Sequence, residues 1–382
     1  MTLNDTHDNC HVAPDSNMEL VHVLAVFRHG DRAPIKSVVA PNLAMSEAET
    51  KFWAARVATE ARRQHMDDIV RVQSTDGPIK PGGVWPNGHL TEVGVEAMTE
   101  RGRAMRRRYA DFLTDCRPQQ HVFVCSTNYR RTVLTAQSVV HGLFPDDATT
   151  EKPMVLHIKH LAPSHTPEHH TRGLELAKLR AVKTLPHYPP LEVTVKTILG
   201  LSPNDDVNWN DRTYAVREVL DCRRAHGLAF PDGLTDEIYD AIVKHSAWEM
   251  FTFYELGGIG QEGFSDAMHQ INALIHEGLM RAPQRRMTLV SAHDTTVIGL
   301  LCALQLEQVS GSVGPPYGSM LVFDIYQDKT DGSYHFVVSW DGKTLRFPSQ
   351  PTTLAPISFL NTALTTCKRF HWHEEGHTVT TN

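Results

Sequence analysis

The stretch Leu20-Val21-His22-Val23-Leu24-Ala25-Val26-Phe27 is apolar at all but one position and contains several β-branched residues. Such a run predicts a strand covered on both faces, as in an α/β sheet, rather than the alternating pattern of a half-exposed strand. It stops at a polar run, Arg28-His29-Gly30-Asp31-Arg32. From Thr91 to Leu113 the spacing of apolar positions predicts a helix with Val93, Ala97, Ala104 and Tyr109 on one side and a basic end. A short strand is predicted from His121 to Cys125, then a helix from Tyr129 to Leu143 that Pro145 closes. The same rhythm returns as a strand over Arg286 to Ser291, the pair His293-Asp294, and a helix over Thr295 to Leu304. Three predicted strands therefore deliver charged side chains at their C-terminal ends, where open α/β sheets hold ligands.

Between about His169 and Leu256 the pattern changes to helical segments punctuated by Pro, Asn and Asp. Strand-like segments return at Ser319 to Tyr326 and Tyr334 to Ser339, separated by a turn-like Asp328-Lys329-Thr330-Asp331-Gly332. The expected fold is α/β, a mainly parallel central sheet flanked by helices, with an inserted helical cap domain. Its organisation is read as a polar tail over 1–18, a catalytic core over 19–168 and 257–370, the cap over 169–256, and a tail over 371–382.

Composition narrows this picture without changing it. With 382 residues, 41% hydrophobic and 21% charged, the chain can bury a large core and shows no disordered bias. A net charge of −7 argues against a nucleic-acid partner, so any phosphate must be held by a local cluster of cations. The first eighteen residues hold three aspartates, no Lys or Arg and no apolar core, so a secretory signal is not expected, nor is a membrane span. Six scattered cysteines without a Cys-x-x-Cys pair suggest reduced thiols, and a cytoplasmic location is expected.

The chemistry concentrates at the strand ends. Arg28 and Arg32 flank His29, and guanidinium groups match phosphate oxygens bidentately while staying charged near neutral pH. They would also keep the His29 imidazole neutral and nucleophilic. Arg131, just inside a predicted helix after Ser126-Thr127, can join the same pocket, and His293-Asp294 adds a donor and a carboxyl group. Taken singly, His293-Asp294 reads as a helix cap and the arginines as strand-end surface residues. Asp294 can act as an acid only where burial or a leaving-group oxygen lets it hold a proton.

Together, these residues resemble the histidine acid phosphatases. The run Phe27-Arg28-His29-Gly30-Asp31-Arg32-Ala33-Pro34 carries the likeness. Trp85-Pro86-Asn87-Gly88 with Leu90-Thr91 and Gly94, Ser126-Thr127 with Arg131-Thr132, Ser291-Ala292-His293-Asp294-Thr295-Thr296 and Pro315-Pro316-Tyr317 follow in the family's order. The resemblance implies a phosphoglycerate-mutase-like fold and a small-molecule phosphomonoester as substrate. It implies His29 as the nucleophile that forms a phosphohistidine and Asp294 as the proton donor. Arg28, Arg32, Arg131 and His293 would bind the phosphoryl oxygens, with no cofactor and no metal. Similar phosphatases often keep a histidine near His165, which makes it a candidate substrate contact. Asp31 is read as orienting the neighbouring arginines. A homodimer is a state the resemblance allows, since similar phosphatases are often dimers.

This chain departs from the family pattern around the Ser-Thr pair. It has Cys125 and Asn128 where many members have Arg and Asp, and Arg130 where an acidic residue is common, which alters the expected charge of the pocket rim. Secreted relatives pair the equivalent of Cys222 with a cysteine near Pro-Pro-Tyr; here that place is Met320, which favours an intracellular branch. Two alternatives stay open: a phosphomutase, disfavoured because Asp31 rather than Glu follows the His-Gly pair, and a silent phosphate-binding scaffold. His373-Glu374-Glu375-Gly376-His377 matches a zinc motif but reads as a solvated tail, and Gly258 to Gly263 matches a dinucleotide loop with no strand before it. Arg106-Arg107-Arg108 reads as a solvated helix end.

Overall fold

Alternation along β1 (Met18–Arg28) decides how the sheet is covered. Leu24 and Val26 enter one core with Phe251, Phe264, Val290 and Phe323, whereas Val23, Ala25 and Phe27 enter another with Met98, Val139 and Leu289. Burying each large apolar side chain contributes about 1.5–3 kcal/mol, so a strand apolar on both faces belongs at the centre with helices on either side. The computed structural model describes residues 14–74, 78–145, 153–161, 167–202, 209–255, 259–307 and 313–365. His165, the 371–382 tail with its zinc-like motif and most of the N-terminal tail lie outside them.

The further strands are β2 (Val70–Gln73), β3 (Val122–Ser126), β4 (Met154–Ile158), β5 (Met287–Ala292), β6 (Met320–Asp328), β7 (Tyr334–Trp340), β8 (Lys343–Leu345) and β9 (Ala355–Pro356). They form one sheet in the order β2-β4-β3-β5-β1-β6-β7-β8, with β9 also on β7. From β2 to β1 all neighbours are parallel; from β1 through β6 onward they are antiparallel. The three strands expected to carry the chemistry are direct neighbours. Arg28 is in register with Ala292, and Ser126 with Ser291, so their C-terminal ends meet along one edge.

Before β4 come α1 (Glu47–Ala54), α2 (Glu60–Ile69), α3 (Glu92–Arg108), α4 (Pro118–His121) and α5 (Arg130–Leu143). After it come α6 (Pro167–Thr184), α7 (Tyr188–Ile198), α8 (Trp209–Ala225) and α9 (Asp236–Tyr254), then α10 (Ile259–Met280), α11 (Asp294–Ala303) and α12 (Ile357–Thr365). Helices α2, α3 and α5 cover one sheet face, and α9 to α12 supply the other. A third core, with Tyr188, Val195, Val216, Leu220 and Ile242, binds α7, α8 and α9 together above Leu43.

The helix expected over Thr91 to Leu113 exists as α3, but most of the face assigned to it is wrong. Val93 is 63% exposed, while Val95, Met98, Gly102 and Met105 face inward with Tyr109. The cause is backbone contact with α5. A Cβ at Gly102 would stand 2.1 Å from the Val139 carbonyl oxygen, and one at Gly142 would stand 1.9 Å from that of Thr99. Glycines acting as contact surface are invisible to a count of apolar side chains. Gly260 of the dinucleotide-like run lies in α10, where a Cβ would meet the Phe253 ring at 2.3 Å, so it serves packing.

Candidate active site

The loop after β1 is fixed by its neighbours. His29 N–H donates to the Ala292 carbonyl (3.0 Å), Gly318 N–H donates to the His29 carbonyl (3.1 Å), and Gly30 N–H donates to Thr135 Oγ1 on α5 (3.1 Å). His29 Nδ1 lies 2.9 Å from the Gly30 carbonyl, which can only accept, so Nδ1 carries the proton in the neutral ring. Nε2 therefore keeps its lone pair. Burial, then the charges of Arg131, Arg32 and Arg28, hold the imidazole well below its usual range, so it stays neutral in acid.

The sequence-predicted arginines converge on this ring, and each is buried. Arg28 Nη1 donates to the Pro315 carbonyl at 2.6 Å, its Nη2 pairs with Asp294 at 3.2 Å, and its guanidinium lies 4.2 Å over the Tyr317 ring. Arg32 pairs with Glu218. Arg131 packs 4.5 Å over Tyr129, and burial followed by the charge of Arg32 pushes its guanidinium down to about 10. Arg28 Nε, Arg32 Nε, and Arg131 Nε and Nη1 are buried donors without a hydrogen-bond partner. Such groups cost heavily unless an anion meets them. At Gly82 the backbone has φ +86, and a Cβ there would stand 2.4 Å from Arg131 Nη1, so the loop can lie against the guanidinium only as glycine.

His293 completes the ring of donors. Its centroid lies 5.7 Å from that of His29, and its Nε2 is tied to the Thr127 hydroxyl at 3.0 Å, leaving Nδ1 for a ligand. Burial and Arg131 push it down to about 3. Asp294 is the first residue of α11, whose cap position is His293 with no side-chain cap bond; Thr295 N–H donates to Asp294 Oδ1 at 2.9 Å, and Oδ2 faces the pocket arginines. Burial alone would push the Asp294 carboxyl up; Arg28 and Arg217 outweigh it and hold the group well below the usual range.

Two expectations need correction. Asp31 orients no arginine: its carboxylate accepts from Thr91, the cap residue of α3, and from His226 Nε2 at 2.7 Å. The acceptors offered by Pro315, Ala33 and Glu218 have already taken the arginines. Cys125 is not at the rim. It lies in the sheet core, where burial pushes its thiol up to about 12. Arg130 is exposed as expected of a rim residue.

Helix α8 supplies what the sequence reading missed. Tyr214 and Arg217 reach Asp294, Glu218 holds Arg32 and accepts from Ile35 N–H (3.0 Å), and Cys222, a free thiol, lies 3.3 Å from Tyr317 Oη. Their spacing of three and four residues was the available signal, but a polar helical stripe ordinarily means solvent.

Geometry of this kind suits one class of protein, an enzyme that handles phosphate esters through a histidine. The chain belongs to branch 2 of the histidine phosphatase superfamily, whose model matches residues 19–339. It is 27% identical over 363 residues to prostatic acid phosphatase of Mus musculus, covering 89% of this chain and 83% of that protein. Lysosomal acid phosphatase of Bos taurus is 24% identical over 360 residues, covering 87% and 73%. The fold also matches a Hafnia alvei phytase solved in complex with myo-inositol hexakis sulphate, with a TM-score of 0.62 at 15% identity, covering 93% of this chain and 98% of that one. A cytoplasmic, intracellular location finds no support in these matches, one of which is named lysosomal. Among the described residues, no helix is long and apolar enough to cross a membrane.

Proposed function

We propose that the chain hydrolyses phosphate monoesters in two steps through a phosphohistidine on His29. The observation that carries this reading is the set of buried, unpartnered guanidinium donors around a neutral imidazole whose Nε2 is free. Nε2 attacks phosphorus while Arg28, Arg32, Arg131 and His293 hold the phosphoryl oxygens. The bond from phosphorus to the leaving oxygen breaks, and Asp294 delivers a proton to that oxygen. Water then attacks the phosphohistidine, gives its proton to Asp294 and releases phosphate and the free imidazole. Preorganised cations stabilise the charge on the transferring group, so the scheme uses no metal.

The partner is a small phosphomonoester rather than nucleic acid, since the net charge is −7 and the buried cations gather in one pocket. The layer of α6 to α9 acts as the cap, because its own core stands over the catalytic edge and α8 reaches down to it.

Rapid denaturing quench with 32P-labelled substrate tests the scheme. The native chain becomes labelled, and His29→Ala takes up no label and loses turnover by about 10⁵-fold or more. A labelled, active variant would sink the proposal.

A further inference from the structure

One carboxylate oxygen in the pocket is shared by three partners. Asp294 Oδ2 lies 3.2 Å from Arg28 Nη2, 3.2 Å from Tyr214 Oη and 3.4 Å from Arg217 Nη2. Arg28 comes from the end of β1, and Tyr214 and Arg217 from one face of α8. Arg217 is as deeply buried as Asp294, and its Nε stands 3.6 Å from Asp221 Oδ2, an ion pair too long for a hydrogen bond. Nothing in the two-step scheme uses Arg217. A cation buried this deeply at the acid needs a reason.

We propose that Arg217 is a positioning residue for Asp294: with Arg28 it clamps the carboxylate from two elements and makes proton donation conditional on bound substrate. The inference rests on the reading of Asp294 as the proton donor. In the empty pocket both guanidinium groups balance the carboxylate. A phosphomonoester draws Arg28 to its own oxygens and sets negative charge beside Asp294, and both changes favour the protonated acid. The proton arrives with the substrate. Phosphate esters lose their second proton near pH ~6, so a monoanion can pass it to Asp294, which returns it to the leaving oxygen. Arg217 cannot follow the phosphate while Asp294 and Asp221 hold it, and its charge sets how readily the acid gives the proton up.

The charged and titratable groups around Asp294 are Arg28 from β1, Tyr214 and Arg217 from α8, neighbouring His293, Arg131 from α5 and Tyr254 from α9. Of these, Arg28, Arg131 and His293 belong to the phosphate seat, and the tyrosines are neutral in acid. Arg217 is therefore the cation whose removal changes the acid without removing a phosphate ligand.

The test measures kcat, which reports ionisations of the bound complex, against pH for Arg217→Gln and Arg217→Lys in the full chain, with saturating glycerol 2-phosphate and 4-nitrophenyl phosphate. A carboxylic acid freed from one close cation keeps its proton to higher pH. The descending limb for the alkyl ester should move up by about one pH unit in Arg217→Gln. The aryl profile, whose leaving group needs little protonation, should stay in place, and Arg217→Lys should restore the native limb. Adding Asp294→Asn to Arg217→Gln should abolish the shift. An unmoved alkyl limb in Arg217→Gln, with aryl turnover retained, overturns the proposal. If Arg217→Gln does not fold, Arg217→Met removes the same charge and must show the same shift. Failure of the parent reading has a different signature: Asp294→Asn alone then slows alkyl and aryl esters equally.

Discussion

The edge of the sheet and helix α8 hold arginines in the same pocket under opposite conditions. Arg131, at the edge, is buried with two donors unpartnered and its guanidinium pushed down to about 10. Arg32, reached from α8, is buried as deeply but faces Glu218, which also accepts from the Ile35 N–H. One cation has donors that no group of the protein accepts from, and the other already has its counter-charge. The difference teaches that arginines around one imidazole are held in two ways, with a carboxylate inside the protein or with none, whatever their distance from His29. Arg131 stands unanswered after β3, while Glu218 of α8 answers Arg32 and Asp294 after β5 answers Arg28.

That division makes opposite predictions for the two regions. Glu218→Gln leaves Arg32 buried without its counter-charge and should lower unfolding stability by about 3–5 kcal/mol, read from the denaturant midpoint. A loss below about 1 kcal/mol would mean that Arg32 is not held by Glu218, and the contrast would fail at its strong end. Arg131→Met removes a charge that nothing in the protein answers. Activity should fall by about 10²–10³-fold in kcat/KM, the effect of losing one preorganised donor, while stability holds or rises by about 1 kcal/mol. Destabilisation of Arg131→Met as severe as that of Glu218→Gln would erase the distinction.

The same boundary separates what was legible in the sequence from what was not. Arg28, His29, Arg131, His293 and Asp294 follow apolar strands at turn positions, where a reader of α/β patterns looks for ligands, and β3, β5 and β1 being neighbours brings them together. Tyr214, Arg217 and Glu218 sit in α8, between Arg131 and His293 in the chain, with polar side chains that imitate a solvent face; only the packing of α8 against α7 and α9 turns them inward. Asp31 was misread for a related reason. Its partners Thr91 and His226 are 60 and 195 residues away, so a rule about neighbours in the chain could not find them. The α3 face failed because Gly102 and Gly142 bring backbones together, an interaction with no hydrophobic signature. The strands β2 and β4, at the far side of the sheet, have exposed positions between their buried ones and so lack the continuous apolar run that marks β1.

The smallest expected effect sharpens the comparison within a single strand. β1 carries a buried imidazole of its own, His22, toward the end away from His29, with Nδ1 at 3.1 Å from the Arg285 carbonyl and Nε2 unpartnered. Burial above all pushes it down to about 4, and Gly278 packs so tightly on the ring that a Cβ there would stand 2.5 Å away. The folded chain keeps His22 neutral where the unfolded chain takes up a proton below pH ~6.5, so stability falls as pH drops through that value and levels off near 4. Between pH ~7 and ~5 the loss from His22 should reach about 2 kcal/mol, and His22→Asn should remove it, as measured by denaturant midpoints at the two pH values. His29 and His293 are depressed in the same direction and add the same kind of loss, but they stand among the pocket arginines, where the proposed function seats phosphate. Inorganic phosphate at pH ~5 should therefore recover part of the stability in both the native chain and His22→Asn, through preferential binding to the folded state. The His22 share should persist at saturating phosphate in the native chain. If phosphate also cancelled that share, the two ends of β1 would be coupled and the separation of answered from unanswered charge would not hold along the strand.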